Sequence, residues 1–277
     1  YEAAPDSYGT IFICDNDDDG NGGCRTVALT DGGDYGFFGD GGARFWQADR
    51  RPGQERLAAH WHQDNPGIMP MGCENGTGGP TGVVVYEGKM FPQFDGAVMD
   101  ADAGRSLVFL HRPEAEGAQL ALQHGVLIQT SREKSGDRGQ WFRPSDVAVS
   151  PDGSILISDW YDPGVGGHAA GDGEAYGRIL RLVPNDGPRG WGPLDASVDS
   201  PAPNVRGDAL NQARLQSAPL TAAARSGDAA RDSRALARRL WLWAERADSR
   251  ALVEAALKHD NPRVRLAAYQ ALARSLG

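Results

Sequence analysis

The acidic run Asp15-Asn16-Asp17-Asp18-Asp19-Gly20 is the sharpest chemical signal in the chain. It matches the D-x-D-x-D-G opening of a calcium loop, where alternate carboxylates converge on one hard cation and the glycine permits a sharp turn. Asp15, Asp17 and Asp19 are the expected ligands, with the backbone carbonyl of Asn21 in the seventh position. Thr26 stands at the twelfth position, where an EF-hand needs a bidentate Glu, so a structural calcium in a different loop is expected. Crowded carboxylates repel one another without a cation, and a solvated acidic turn is the competing reading. Cys14 and Cys24 flank the loop. A disulfide between them would pin it and would suit an exported protein. Cys73 is then left over, and no Cys-x-x-Cys-His occurs for haem attachment. Histidine titrates near neutral pH and can take a proton, which singles out His60, His62 and His168 in loop-like stretches. His60 and His62 flank Trp61 and would share one side of an extended segment, so a paired metal site is weighed beside structural hydrogen bonding.

The elements that must position these residues divide sharply. Of the 37 glycines, only Gly192, Gly207, Gly227 and Gly277 lie beyond residue 190. The whole chain of 277 residues carries a net charge of −9. That balance excludes a nucleic-acid partner of the usual basic-faced kind, and no apolar run is long enough to span a membrane. The charge is also unevenly shared, with the first 190 residues acidic and the remainder mildly basic. The chain opens at Tyr1 with no signal peptide, which reads as a processed or truncated product.

Residues 1–190 show one plan repeated at roughly 60–75 residues. A strand pair has a second strand ending in Asp; a loop follows, then an Arg-led strand. The third unit runs Val147-Ala148-Val149, the turn Pro151-Asp152-Gly153, Ile155-Leu156-Ile157-Ser158-Asp159, then Arg178 before Ile179-Leu180-Arg181-Leu182. The second has Val83-Val84-Val85, Ala97-Val98-Met99-Asp100, Arg105 and Leu107-Val108-Phe109-Leu110. The first has Ile11-Phe12-Ile13-Cys14-Asp15, Arg25 and Val27-Ala28-Leu29, followed by a long insertion over residues 31–79. Sheets repeated this way bury their faces against neighbours around an axis, the logic of a β-propeller, with a sandwich as the rival. The recurrence of the arginine suggests a structural role for Arg178.

The phrases His60-Trp61-His62-Gln63, Pro80-Thr81-Gly82-Val83, Trp141-Phe142-Arg143-Pro144-Ser145-Asp146-Val147 and Asp159-Trp160-Tyr161-Asp162-Pro163-Gly164-Val165-Gly166-Gly167-His168 carry a family resemblance. The chain resembles the so-called membrane-bound dehydrogenase proteins of planctomycetes, whose propeller is like that of soluble quinoprotein glucose/sorbosone dehydrogenases. HEAT repeats, and in some members a cytochrome c domain, accompany that propeller. The resemblance implies oxidation of a sugar or related alcohol, with pyrroloquinoline quinone as electron acceptor. It requires a base, for which His60, His62 and His168 are the candidates, and groups to hold the cofactor, for which Arg143, Asp159 and Asp162 are the candidates. A family ring has about six blades. Residues 1–190 supply three or four, which predicts further blades before Tyr1. A non-catalytic, calcium-stabilised module binding protein or glycan is the alternative; a hydrolase is weaker, since no nucleophile elbow occurs.

From Ser217 the chain turns rich in Ala, Leu and Arg at helical spacing. Helices are expected from Asp232-Ser233, with Leu236, Leu240 and Trp243 inward, and from Ser249, with Leu252, Val253, Ala256 and Leu257 inward. A third follows the Asn261-Pro262 cap, with Val264, Ala268, Ala271 and Leu272 on one stripe. The turn Lys258-His259-Asp260-Asn261-Pro262-Arg263-Val264-Arg265 resembles that inside HEAT repeats. Arg263, Arg265 and Arg274 would then offer a docking face for a protein, a cytochrome c among the possibilities, or simply a solvated basic face. The expected organisation is a multidomain β-plus-α protein. A partial β-propeller of three to four blades (1–190) leads through a proline-rich linker or strap (191–216) to an α-helical HEAT-type solenoid fragment (217–277). A periplasmic or secreted location follows from the resemblance.

Overall fold

The computed structural model describes residues 2–16, 23–39, 50–117, 119–131, 141–162, 177–187, 190–215, 232–246 and 249–275. Within them, twelve strands form three antiparallel sheets, and helices follow. The first sheet has the order β1 (Ala3–Pro5), β2 (Ile11–Asp15), β3 (Cys24–Leu29), β4 (Cys73–Gly76). The second runs β5 (Pro80–Val85), β6 (Val98–Asp102), β7 (Leu107–Glu116), β8 (Gln119–Gln123), with β9 (Val126–Gln129) also on β7. The third is β10 (Pro144–Val149), β11 (Ile155–Asp159), β12 (Arg178–Leu182). Each sheet follows chain order, as hairpin-connected strands do, and the whole has the look of propeller blades.

The repeated Asp and Arg have a structural cause. Antiparallel register sets Asp15 opposite Arg25 in the first sheet and Asp159 opposite Arg178 in the third. Both pairs close as ion pairs, at 3.0 Å and 2.9 Å. In the second sheet Asp102 plays a related part, its Oδ1 accepting the backbone N–H of Gly79 (2.8 Å) and of Arg105 (2.9 Å). One rung thus ties the outgoing loop of a strand pair to its return.

The second sheet lies between the other two, and β5 shows why. Successive side chains of a strand point to opposite faces. Val83 and Val85 join Ala4, Phe12, Cys14 and Val98 in the core shared with the first sheet. Val84 and Tyr86 face the other way, with Met99, Phe142, Val147, Ile155 and Ile157. A strand buried on both faces needs an unbroken apolar run, and Val83-Val84-Val85-Tyr86 supplies it.

Short helix α1 (Arg56–His60) lies in the long insertion; α2 (Pro203–Leu215), α3 (Ser233–Trp243), α4 (Arg250–Ala256) and α5 (Pro262–Ser275) follow the sheets. Asp232 caps α3 by accepting from the N–H groups of Arg234 and Ala235, and Asn261 caps α5 through Arg263 N–H at 2.9 Å. Val264, Ala268 and Ala271 are buried as their stripe predicts, with Leu240, Trp243, Val253 and Ala256 against them. Leu252 and Leu257 instead face outward, because α4 is only two turns long and buries a single narrow edge. Helix α2 occupies a stretch whose sequence carried no helical expectation. Among the described residues no helix is long and apolar enough to cross a membrane.

The helices pack onto the sheets through buried polar contacts. Tyr8, in the turn after β1, sits in the helical core, with its hydroxyl 2.7 Å from Ser233 Oγ. Glu87, just beyond β5, accepts from Ser7 N–H (3.0 Å) and Ser7 Oγ (2.6 Å). It also meets Arg206 of α2 at 2.9 Å, and Arg234 and Arg238 of α3 at 3.3 and 3.5 Å. Burial pushes the Glu87 carboxyl up, but Arg206, Arg238 and the Ser7 bonds outweigh it and hold its pKa below the usual carboxylate range. Arg263, expected outside, turns inward: its guanidinium pairs with Asp6 and lies 4.2 Å over the Tyr8 ring. It belongs to the sheet–helix contact, and the outward docking face loses it.

Candidate functional site

The insertion after β3 corrects two expectations. His60 ends helix α1 and His62 follows Trp61 with a positive φ of 51°, so the segment is helical and turned where an extended one was expected. Both histidines are buried, and the extended geometry expected to pair them is not the one observed. The His60 ring stacks edge-on to Trp61 at 4.0 Å, and His62 Nδ1 lies 2.7 Å from the carbonyl of Gly36. Gly36 is required there: at φ +72° an added Cβ would lie 1.8 Å from Trp61 O. Trp61 in turn donates from its indole to Gly23 O (2.8 Å) and receives the Arg25 guanidinium 3.4 Å from its ring centroid. Trp61 thus fastens the insertion to β3, and His60 and His62 pack around it.

Asp15 is the part of the calcium loop that the structure describes. Its Oδ2 accepts from Arg25 Nε (3.3 Å) and Nη2 (3.0 Å), which competes with a metal for that oxygen. Asp17, Asp19 and Asn21 lie outside the described residues, as does His168. The Cys14–Cys24 bridge that the spacing left open is not formed. Cys14, Cys24 and Cys73 are thiols, because register places Cys14 opposite Thr26 and sends Cys24 on to pair with Gly76. Burial raises the Cys14 thiol to about 11, a chemically quiet state.

The third sheet builds a more open arrangement at the end of β11. Asp159 is buried and accepts from Arg143 N–H (2.8 Å), Tyr161 N–H (3.0 Å) and Arg178 Nε (2.9 Å). Arg143 spans the junction of two sheets. Its Nε donates to Asp162 O (3.1 Å), and its Nη1 donates to Ala103 O (3.1 Å) and Ser106 Oγ (2.7 Å). Beside this knot stand aromatics with no role apparent from the sequence. Trp160 is 54% exposed, Tyr161 is held at φ 57°, and Trp141 meets Tyr161 edge-on at 5.7 Å. The Arg178 guanidinium lies 4.4 Å from the Tyr161 ring centroid. A non-glycine residue in the left-handed region is costly and persists where surroundings over-determine it. The arrangement can offer aromatic surface beside fixed cations and carboxylates. Arg143, Asp159 and Asp162 thus come together as expected, but Arg143 and Asp159 are committed to backbone and to each other. The described residues do not assemble a cradle for a quinone with several carboxylates.

A second polar group lies between the first and second sheets. Asp100 of β6 accepts from the Thr26 hydroxyl of β3, and Asn75 Nδ2 of β4 donates to Thr26 Oγ1 at 2.7 Å. His111 of β7 is fully buried, with Nε2 3.3 Å from Asp100 Oδ2. Burial lowers its pKa, but Asp100 and Cys73 reverse this and bring it to about 9. His124 and Cys73 stand nearby, with Nδ1 and Sγ 3.4 Å apart. Burial and the neighbouring His111 lower the pKa of His124. No sequence motif announced this group, because its members come from four strands and one turn.

These features define a blade-built β protein with attached helices. Residues 3–185 match the model of the family described as Domain of unknown function (DUF7133), and the chain belongs to that family. No curated protein matches the sequence. Among solved structures, the chain is similar to a Thermus thermophilus protein named, by inference, an oxidoreductase (glucose dehydrogenase). That match has 16% identity and a TM-score of 0.42, over 65% of this chain and 44% of the other. A second structure, of a glucose dehydrogenase, has 19% identity and a TM-score of 0.38 over 63% and 41%. The chain spans less than half the length of either.

Proposed function

We propose that this chain is part of an exported, quinoprotein-dehydrogenase-like protein that oxidises a sugar or related alcohol and passes electrons to a quinone. One observation of the site supports the reading: Trp141 meets Tyr161 edge-on with Arg178 over the Tyr161 ring, next in sequence to the exposed Trp160 and close to the Arg143–Asp159 bond. Sugars present apolar C–H faces and hydroxyl edges, so an aromatic platform with adjacent charged groups suits them. Trp160, Tyr161 and Asp162 would hold the substrate, and the phrase running on to His168 carries the candidate base. Calcium at Asp17, Asp19 and Asn21 would stabilise the first sheet. The helices would begin a HEAT-type array for a protein partner, such as a cytochrome c.

A glycan-binding module without turnover is the second reading, favoured by the commitment of Arg143 and Asp159 to structural bonds. The full-length protein with pyrroloquinoline quinone and calcium, screened with aldoses and a dye acceptor, separates the two. Turnover is expected, with Trp160→Ala raising KM by about tenfold, the loss of one aromatic contact, while melting stays unchanged. Sugar binding without quinone binding or turnover would establish the second reading and reject the first.

A further inference from the structure

We propose that Cys73, His111 and His124 form a zinc site that fastens the first sheet to the second. One donor atom from each residue lies within 4.8 Å of the others, and the Cys73–His124 pair is already at 3.4 Å. Around a tetrahedral zinc, with about 2.3 Å to sulfur and about 2.0 Å to nitrogen, donors stand about 3.5 Å apart. Small side-chain rotations therefore close the set.

His111 supplies the independent sign of a ligand. It is fully buried, its Nε2 faces Asp100, and its Nδ1 has no hydrogen-bond partner. A carboxylate on the far nitrogen of a ligating histidine fixes the ring and its tautomer, and leaves the other nitrogen for the metal. Here the Asp100 carboxylate is itself held by Thr26, which Asn75 supports. With Nε2 engaged in this way, Nδ1 is the donor to zinc. Phe109 packs 4.8 Å from the His124 ring and limits its swing.

The donor set identifies the ion. One thiolate and two imidazoles favour a borderline-soft cation over calcium or magnesium, which take oxygen. The site is thus chemically distinct from the acidic loop. His124 is exposed and Cys73 partly so, which leaves a fourth position for water. Cys73 comes from β4, His111 from β7, and His124 from the turn between β8 and β9, so the ion would bridge two sheets.

The test uses the full chain, stripped with a chelator under reducing conditions and titrated with Co2+, then Zn2+. One Co2+ should bind with tetrahedral bands and a thiolate charge-transfer absorption, and Zn2+ should displace it. Cys73→Ser should abolish the charge-transfer band, and His124→Ala should weaken binding at least tenfold. Asp100→Asn should weaken it by about 10–100-fold, the usual effect of losing an orienting partner. Zinc should raise the melting temperature of the wild type but not of Cys73→Ser. No Co2+ binding, binding without a thiolate band, or equal binding by Cys73→Ser would overturn the assignment. Cys73 and His124 lie toward the surface, and ion-free melting curves separate lost ligation from lost folding. None of these readouts depends on sugar oxidation.

Discussion

Glu87 is a single carboxylate on which two parts of the molecule converge. Its oxygens meet Arg206, Arg234 and Arg238, and the side chains of Arg206 and Arg238 are almost fully buried. Removing one partner of a buried ion pair leaves the other charges uncompensated, which costs about 3–5 kcal/mol. Glu87→Gln should therefore lower the urea midpoint at neutral pH with a cost of that order. The pH dependence has a definite sign. Because the folded-state pKa lies below its reference of 4.5, the carboxylate stabilises the fold above that value. That contribution disappears as the pH falls through the folded-state pKa. The gap between wild type and Glu87→Gln should thus narrow on acidification, and a gap that widened would contradict the assignment. Nothing in the sequence marked Glu87, since its arginine partners are more than a hundred residues away and Ser7 is 80 away. His60 and His62 show the opposite failure: their chemistry was plain, but a five-residue helix is too short to display its period.

Among the elements, the Asp–Arg rung of the blades was legible because it recurs. Recurrence of Arg25 and Arg178 after strands ending in Asp15 and Asp159 reports a shared register more than a shared chemistry. Helices α3 and α5 were equally legible, through Asp232 and Asn261 at their caps and the stripes of small apolar residues. Strand β4 was not, because Cys-Glu-Asn-Gly has little strand preference and is held by its pairing with β3 and by Asp100 and Arg105 of the second sheet. Helix α2, with Gly207 in its interior, has weak local preference and is held through Arg206. The platform at the end of β11 was half visible: the sequence phrase stood out, but the seating of Trp141 against Tyr161 needs the fold. At this scale Asp159→Ala should strip acceptors from two backbone N–H groups and Arg178, costing about 2–4 kcal/mol. Thermal unfolding measures the loss, and proteolysis should then cut first within the loop that Asp159 roots. Cleavage elsewhere, with that loop protected, would deny Asp159 its anchoring role.

At the scale of the whole molecule, the acidic β portion and the basic helical tail read as separate from composition, yet they share a core. Tyr8 lies among helical residues, while Asp6 pairs with Arg263. Calorimetry should accordingly show one cooperative transition for sheets and helices together. Two well-separated transitions would mean that the Glu87 and Asp6 contacts contribute little. The buried position of Tyr8 also bears on how the protein comes to be made. Asp6 and Arg263 are 257 residues apart in sequence, and Tyr8 and Ser233 are 225 apart. The blade hairpins can form as they leave the ribosome, since their pairings are local. The turn at Asp6–Tyr8 cannot complete its surroundings until α5 has been synthesised. Through that interval Tyr8 stays an exposed aromatic beside Asp6 and Glu87, whose arginine partners all come from helices made later.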